Sequence, residues 1–300
     1  MTSSVSGLFL LDKPAGITSQ TAVRRVCRLL GAKSAGHTGT LDPMATGVLP
    51  ILVGRAAKAS EYLTDEGKCY RARLLLGMET DTEDTSGTVL RTCDDIPSAA
   101  RVAEVCATFV GKLMQTPPMY SAVRVGGKRL MELARKGVTV ERTPREITVK
   151  HLTVTQISPR EYELDIAVSK GTYIRTLCAD IGKMLGCYGV MASLCRTEAA
   201  GFPLAQAHTL DVLEAMDEES RRALVLPLDA VFAHLAPVHL PPFFARLARN
   251  GQRLYMKKLG VSFALGSRVR LFDGDVFFAL AEAREKEGEH VLVPLKQFDL

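Results

Sequence analysis

No stretch of the 300-residue sequence approaches the length of a membrane-spanning segment. The amino-terminal stretch MTSSVSGLFLLDKP has no basic region before its short apolar run at residues 8–11, and charged residues follow that run at once. It therefore lacks the features of a secretory signal peptide. We expect a cytoplasmic chain with no membrane partner.

Residue spacings typical of metal sites are also missing. The seven cysteines are odd in number and none is spaced C-x-x-C, and the six histidines are scattered without a cysteine or carboxylate at ligand spacing. Most of the cysteines lie in apolar or helical patterns, as buried thiols do. We expect no metal site.

Three common catalytic fingerprints are absent. The sequence contains no G-x-x-x-x-G-K-[ST] phosphate loop, no G-x-G-x-x-G dinucleotide fingerprint and no G-x-S-x-G nucleophile elbow. It also contains no internal repeat and no low-complexity tract. The function must be sought in another motif.

The composition is that of a globular chain, with 47% apolar and 24% charged residues, enough for one large domain and one small one. The net charge of +5 is modest but unevenly placed. Residues 124–150 alone carry eight basic and three acidic side chains. This segment is either a face that binds a polyanion or a solvated, charge-rich loop.

Hydrophobic periodicity predicts a mixture of helices and strands. A helix capped by Thr18 or Ser19 is predicted to end near Gly31, and two more are predicted over residues 97–110 and 128–136. The stretches VLPILVG and YRARLLL are predicted strands, and REITVKHLTVTQI with EYELDIAVS forms a predicted hairpin. A further helix follows GTYIR.

The pattern changes near residues 230–245, where prolines interrupt the chain repeatedly. Beyond this point RVRLF and VFFALAEA flank an Asp-Gly turn and predict a hairpin, and HVLVPLKQF is a further strand. We therefore expect a large domain over residues 1–235 and a small β module over residues 236–300.

The stretch GHTGTLDPMATGVLPILVG sets one carboxylate, that of Asp42, in a loop rich in glycine, proline and threonine. Asp-Pro often starts a turn, so turn chemistry alone explains this residue. The surrounding His37, Thr38, Thr40 and Thr46, with glycines that permit close backbone approach to a ligand, favour a functional loop.

Taken with KCYRARLLLGMETDTEDTSG, QTPPMYSAVRVGGKRLMELARKG and SKGTYIRTLCADIGKMLG, in this order, that loop resembles the TruB family of bacterial tRNA pseudouridine-55 synthases. The resemblance runs from LLDKPAG to LCRTEAAGF and more loosely through the C-terminal module. It implies an α/β (α+β) fold, in which helices flank the mixed antiparallel sheet of pseudouridine synthases, followed by a small PUA-like β module.

The implied reaction cuts the N1–C1′ bond of a uridine, rotates the base and rejoins it through C5, without a cofactor. It needs one ionised carboxylate at the ribose or base, and the resemblance assigns that role to Asp42. Attack on C1′ and assistance to glycal formation through C2′ both remain open. Arg175 matches the arginine that pairs with the catalytic carboxylate; its charge would lower the pKa of Asp42, and burial would raise it.

A uridine inside a structured tRNA loop must be extruded and held by stacking. The resemblance implies that Tyr70 stacks on the base, that Tyr173 lines the pocket and that Leu194 forms an apolar wall. By composition alone, each of the three would more often belong to the core.

The resemblance also implies the contacts to RNA. His37 would enter the RNA loop, Asp84 would lie in a loop near the pocket, and residues 115–150 would form an insertion that grips the T-stem and loop. Its basic residues would contact phosphates: Arg124, Lys128, Arg129, Arg142 and Arg145. Lys13 and Arg196 would support the floor of the site, and Cys195 stands where many relatives have a second arginine.

Two other functions are considered. A tRNA-folding chaperone would remodel the T-arm without chemistry, and this role can coexist with synthase activity. The second of these alternatives is a guide-RNA-dependent synthase of the archaeal and eukaryotic kind. The basic insertion and the lack of an extended basic tail favour stand-alone action, so we expect a monomer that recognises the tRNA T-stem-loop without a guide RNA.

Overall fold

The structure is a computed structural model that describes residues 5–64 and 67–298. Two sheets and two short ribbons contain its strands. In chain order these are β1 (Gly7–Lys13), β2 (Ala35–His37), β3 (Thr46–Val53), β4 (Lys68–Leu76), β5 (Met78–Thr80), β6 (Val89–Thr92), β7 (Gly111–Gln115), β8 (Arg124–Val125), β9 (Lys128–Arg129), β10 (Arg145–Gln156), β11 (Glu161–Val168), β12 (Gly189–Ala199), β13 (Phe202–Pro203), β14 (Ala236–Leu240), β15 (Leu254–Tyr255), β16 (Arg268–Asp273), β17 (Val276–Lys286) and β18 (Glu289–Gln297).

The helices are short. They are α1 (Ser19–Leu29), α2 (Ser60–Thr64), α3 (Ala99–Thr108), α4 (Leu130–Ala134), α5 (Ile174–Leu185), α6 (Leu210–Ala215), α7 (Glu218–Ala223), α8 (Leu228–Val231), α9 (Pro242–Arg249) and α10 (Met256–Leu259). Among the described residues, none of the helices has the length and apolar character needed to cross a membrane.

The larger sheet has nine strands, in the order β1-β3-β12-β4-β11-β10-β7, with β2 beside β3 and β13 beside β12. Its pairs are antiparallel except for the parallel contact between β3 and β12. The predicted β10–β11 hairpin is present, with its turn around residues 157–160. The mixed antiparallel sheet expected from the sequence is confirmed.

The two faces of this sheet belong to different hydrophobic cores. Side chains alternate along a strand, so Phe9 and Leu11 of β1 belong to the hydrophobic cluster that includes residues of α1, α3 and α5, whereas Leu8 and Leu10 face the other side and belong to a cluster that includes Phe298. Burial on both faces explains the continuous apolar character of β1 and β3. The expected arrangement of helices flanking the sheet is therefore confirmed.

The insertion leaves the sheet after Gln115 and returns at Arg145, and these two residues are register partners. The predicted helix over residues 128–136 is shorter than expected, because Lys128–Arg129 pairs as a strand with Arg124–Val125. The turn of this ribbon, Gly126 and Gly127, has positive φ at both positions. Only Leu130–Ala134 remains helical.

A five-stranded sheet, β14-β16-β17-β18-β15, forms the C-terminal β module. The predicted Asp-Gly hairpin is confirmed, with Asp273 opposite Val276. The expectation that the prolines around residues 230–245 only interrupt the chain was wrong for Pro242. This proline lies in the first turn of α9, where its missing N–H removes no helical hydrogen bond. The division between residues 235 and 236 stays a proposal, since the two parts share one hydrophobic cluster.

We predict that Gly47→Ala lowers the free energy of unfolding by about 2 kcal/mol or more. Gly47 has a φ of +101°, and a β-carbon there would collide with the backbone of Arg196 in the neighbouring strand. Chemical denaturation would measure the loss. Gly31→Ala is the matched control: Gly31 has a φ of +62° but no atom within 4 Å of the added carbon, so equal losses in both variants would contradict a role for the close contact.

Candidate active site

The loop that carries Asp42 joins β2 to β3, and hydrogen bonds from the side chain of Ser19 in α1 hold it in place. The Ser19 hydroxyl donates to the Leu41 carbonyl at 2.9 Å and accepts from the Leu41 N–H at 2.8 Å. Thr18, not Ser19, caps α1, through a bond from the Thr21 N–H. A buried hydroxyl thus holds the residue immediately before Asp42 in one position.

Lys13 bonds the backbone of this loop. Its side chain is fully buried, and Nζ donates to the carbonyls of Ala45 at 2.7 Å and Pro14 at 2.8 Å. Burial lowers the pKa of Lys13 to about 8, although the nearby Asp42 carboxylate works in the opposite direction. The ammonium therefore holds the backbone just after Asp42.

Arg196 supports the same loop from the neighbouring strand. It is 1% exposed, and it donates from Nε to the Val48 carbonyl at 2.8 Å and from Nη2 to the Gly39 carbonyl at 3.1 Å. These two carbonyls lie on opposite sides of Asp42 in the chain. One side chain therefore joins the two ends of the loop.

Lys13 and Arg196 lie in one row of register partners that crosses four neighbouring strands. Tyr70 of β4 is the register partner of Arg196 in β12, Arg196 is the partner of Gly47 in β3, and Gly47 is the partner of Lys13 in β1. Hydrogen-bonded strands restrain backbone motion. The sheet therefore supplies a rigid base for the residues around Asp42.

Arg175, the second residue of α5, forms the ion pair with Asp42. Its Nε lies 2.9 Å from Asp42 Oδ2. The guanidinium also donates to the carbonyls of Thr82 at 3.0 Å and Tyr120 at 2.8 Å. The Arg175 side chain is 7% exposed, whereas that of Asp42 is 36% exposed, so the carboxylate is the member of the pair that faces solvent.

The pKa of Asp42 is raised above its ordinary value. Loss of hydration is the largest cause; Arg175 works against it by attraction and hydrogen bonding, Asp84 adds a smaller upward effect, and Lys13 a small downward one. The ion pair therefore limits the increase in the pKa of Asp42 without abolishing it.

Asp84 lies in a turn beside the ion pair. It is 5% exposed, and Oδ1 accepts from the hydroxyl of Thr82 at 2.8 Å and the N–H of Ser86 at 3.0 Å. Its Oδ2 lies 3.8 Å from Nη1 of Arg175. The Asp84 carboxylate therefore organises its own turn and faces Arg175, and its expected contact with RNA stays a prediction.

The three expected pocket residues lie on the elements around this pair. Tyr70 and Leu194 are each 8% exposed and belong to the hydrophobic cluster that includes residues of α1, α3 and α5. Tyr173 is half-buried and directly precedes α5. Tyr70 is opposite Arg196, and Leu194 is opposite Ala72 of β4. Both sheet residues therefore have rigid backbones next to the Asp42 loop.

The basic residues of the insertion divide into two groups. Arg124, Lys128, Arg129 and Arg145 are exposed. Arg142 is half-buried and donates to the Pro117 carbonyl at 3.1 Å, so it holds the insertion together. The exposed group is available to a ligand of opposite charge.

His37 ends β2 and is half-buried. Its Nδ1 accepts from the Gly39 N–H at 3.3 Å. Burial, with a smaller effect of Arg196, lowers the pKa of His37, which favours a neutral ring at neutral pH.

Sequence reasoning missed three residues that shape the site. Ser19 holds Leu41; the Gln115 amide bonds the backbone of Tyr173; the Glu83 carboxylate accepts from the Thr176 hydroxyl at 2.6 Å. The partners of Gln115 and Glu83 lie 58 and 93 residues away in the chain. No local pattern marks such contacts.

Comparison with known proteins shows that this chain is similar to pseudouridylate synthases. The N-terminal domain of the TruB family pseudouridylate synthases matches residues 27–174, and the C-terminal domain of tRNA pseudouridylate synthase B matches residues 175–233. The chain is 43% identical over 255 residues to tRNA pseudouridine synthase B of Alkaliphilus oremlandii, covering 85% of each chain. It is 44% identical over 283 residues to tRNA pseudouridine synthase B of Thiobacillus denitrificans, covering 93% of each.

Among solved structures, the chain resembles one in the crystal structure of a Cbf5-Nop10-Gar1 complex. The TM-score is 0.73 at 26% identity, and the match covers 97% of this chain and 84% of that one.

We predict that Asp42 titrates above the ordinary aspartate pKa and that Arg175→Gln raises its pKa further, because the favourable positive charge is lost. A process that needs ionised Asp42 would then begin at a higher pH in the variant. Carboxyl ¹³C NMR titration would measure both values.

The matched control is Arg71→Gln, since Arg71 pairs with the exposed Asp165 at 3.3 Å, and its side chain lies on the face of β4 opposite to that of the buried Tyr70. It should leave the pKa of Asp42 unchanged. A pKa of Asp42 that is insensitive to Arg175→Gln would contradict the electrostatic role assigned to this arginine.

Proposed function

Because the chain belongs to the TruB family of pseudouridylate synthases and is therefore an isomerase, we propose that it converts uridine 55 in the T-loop of tRNA into pseudouridine with Asp42 as the catalytic carboxylate. The observation that carries this proposal is the 2.9 Å ion pair between Arg175 and a partly exposed Asp42 on a fixed loop. Positioning of this kind lowers the entropic cost of reaching the transition state.

The proposed reaction is balanced without a cofactor. The N1–C1′ bond breaks, the base rotates, a C5–C1′ bond forms, the proton on C5 leaves, and N1 takes up one proton, so the product is an isomer of the substrate. Asp42 either attacks C1′ or assists removal of the C2′ proton on the glycal route, and the ionised carboxylate serves in both. Arg175 would favour that ionised form and hold its orientation.

Access to the base requires extrusion of the uridine from the T-loop. Tyr70 would stack on the extruded base, Tyr173 and Leu194 would bound the pocket, and His37 would occupy space in the opened RNA loop. Support comes from the rigid backbones of Tyr70 and Leu194 in the sheet next to the Asp42 loop. A neutral His37 ring suits contact with bases better than with phosphate.

The exposed basic residues of the insertion support stand-alone recognition of tRNA, without a guide RNA. The cytoplasm is the proposed place of this activity. Arg124, Lys128, Arg129 and Arg145 would contact phosphates of the T-stem and loop. Arg142 would act indirectly, by holding Pro117.

A tRNA-folding chaperone activity is a second candidate function. The exposed basic surface of the insertion is built from residues other than the Asp42–Arg175 pair, so binding and remodelling of the T-arm would not require Asp42. The two activities would then be separable by substitution.

We predict that Asp42→Ala lowers isomerisation by at least about a thousandfold, because the reacting carboxylate is lost. RNA affinity should stay close to that of the wild type. The measurement is tritium release from a C5-labelled, unmodified tRNA transcript without added guide RNA, alongside RNA binding.

Asp165→Ala is the matched control, since Asp165 is an exposed, ion-paired aspartate of β11, and it should retain activity. Normal turnover by Asp42→Ala would contradict the assignment of Asp42. A wild type that binds and refolds the transcript but releases no tritium would instead favour the chaperone function or a missing guide.

We predict that the double variant Lys128→Ala with Arg129→Ala weakens tRNA binding and reduces the slope of log affinity against log salt by about 0.7–0.9 for each phosphate that the protein no longer neutralises. Binding measured across a salt series would give the slope. The control is Arg101→Ala with Lys112→Ala, which removes the same charge from two ion-paired surface residues outside the insertion. Equal slopes in the two double variants would contradict phosphate binding by the ribbon.

A further inference from the structure

Gln115 is a buried glutamine whose whole amide bonds the backbone of a single residue. Its side chain donates from Nε2 to the Tyr173 carbonyl at 3.0 Å and accepts at Oε1 from the Tyr173 N–H at 2.8 Å. The residue is 4% exposed. A buried amide left without partners is costly, so this paired contact fixes both groups at once.

The bonded residue stands at the start of α5. Tyr173 is the N-cap position of that helix, yet its own side chain makes no capping bond. Arg175 follows two residues later and forms the ion pair with Asp42. The position of the guanidinium therefore depends on where the first turn of α5 is held.

A second contact joins the same two segments. The Tyr120 carbonyl accepts from Arg175 Nη2 at 2.8 Å. Between Gln115 and Tyr120 lie the buried Pro117 and Pro118, whose rings restrict the backbone. Residues 115–120 thus form a stiff stretch that touches the start of α5 at both of its ends.

This stretch is also the root of the insertion. Gln115 is the last residue of β7, and its register partner Arg145 is where the chain returns to the sheet. Residues 115–120 therefore connect the insertion to residues 173–175.

We propose that Gln115 is a positioning residue for the reaction, because its amide holds the backbone of Tyr173 and thereby places the Arg175 guanidinium against Asp42. The inference rests on the proposed function. Gln115 acts through Tyr173 and Arg175, and it couples the root of the insertion to the ion pair.

Helix α5 does not need Gln115 in order to form. The Tyr173 carbonyl also accepts from the Leu177 N–H at 3.0 Å, within the helix itself, and Gly186 ends the helix with a positive φ. Loss of the amide should therefore loosen the first turn and leave the rest of the helix in place. Its effect is expected in the chemical step.

The test is single-turnover tritium release at saturating enzyme, with tRNA affinity and thermal unfolding measured on the same proteins. Gln115→Leu should slow the chemical step by about ten- to hundredfold, as small misplacements of catalytic groups do. Affinity for tRNA should be unchanged, and the variant should be folded at the assay temperature.

Gln115→Glu gives a readout that a role in folding alone would not produce. Only the protonated carboxyl can both donate to the Tyr173 carbonyl and accept from its N–H, whereas the ionised form places an anionic oxygen against that carbonyl. The rate relative to the wild type should therefore fall as pH rises, with a midpoint above the ordinary glutamate pKa of about 4.3, because burial favours the neutral form.

The matched controls are Gln156→Leu and Gln156→Glu. Gln156 lies at the far end of β10, and its amide donates to the Tyr162 hydroxyl at 3.3 Å. Both controls should keep the wild-type rate and pH dependence.

The outcomes separate this inference from the proposed function. A folded Gln115→Leu with the wild-type single-turnover rate, or a loss explained wholly by weaker RNA binding, would overturn the inference alone. A pH-independent ratio for Gln115→Glu would do the same if Gln115→Leu fails to fold. A wild type that releases no tritium would overturn the proposed function and this inference together.

Discussion

The ion pair between Arg175 and Asp42 is the interaction on which the rest of the site depends. The same guanidinium bonds the carbonyls of Thr82 and Tyr120 and faces Asp84. Four segments of the chain therefore meet at one buried cation: the Asp42 loop, the turn around Asp84, the root of the insertion and the first turn of α5. A buried charge needs such partners, because it loses its hydration on folding.

The large sheet supplies the rigidity that this pair requires. Arg196, Gly47 and Lys13 lie in one row across β12, β3 and β1, and both cations bond backbone carbonyls of the loop that carries Asp42. The two cations are thus used to hold backbone, and Arg175 is the one paired directly with the carboxylate. Burial still has the larger effect on Asp42, whose pKa is raised.

The insertion combines an exposed surface with a fixed root. Its ribbon presents basic side chains to solvent, whereas Arg142 bonds Pro117 within the insertion and residues 115–120 bond the start of α5. In the proposed function, RNA held by the ribbon and the uridine at Asp42 are therefore connected through a few short hydrogen bonds. The same geometry explains why an uncharged residue such as Gln115 can matter for the reaction.

The sequence by itself determined strands β3 and β4, the β10–β11 hairpin, helices α1 and α3 and the Asp-Gly hairpin, because periodicity and turn residues are local signals. The pairing of Arg175 with Asp42 was implied only by the family resemblance. Tertiary structure alone decided that Asp84 is buried, that Ser19 holds Leu41 and that Gln115 holds Tyr173. Partners tens of residues apart in the chain meet only when the sheet and helices pack, so their hydrogen bonds leave no local pattern.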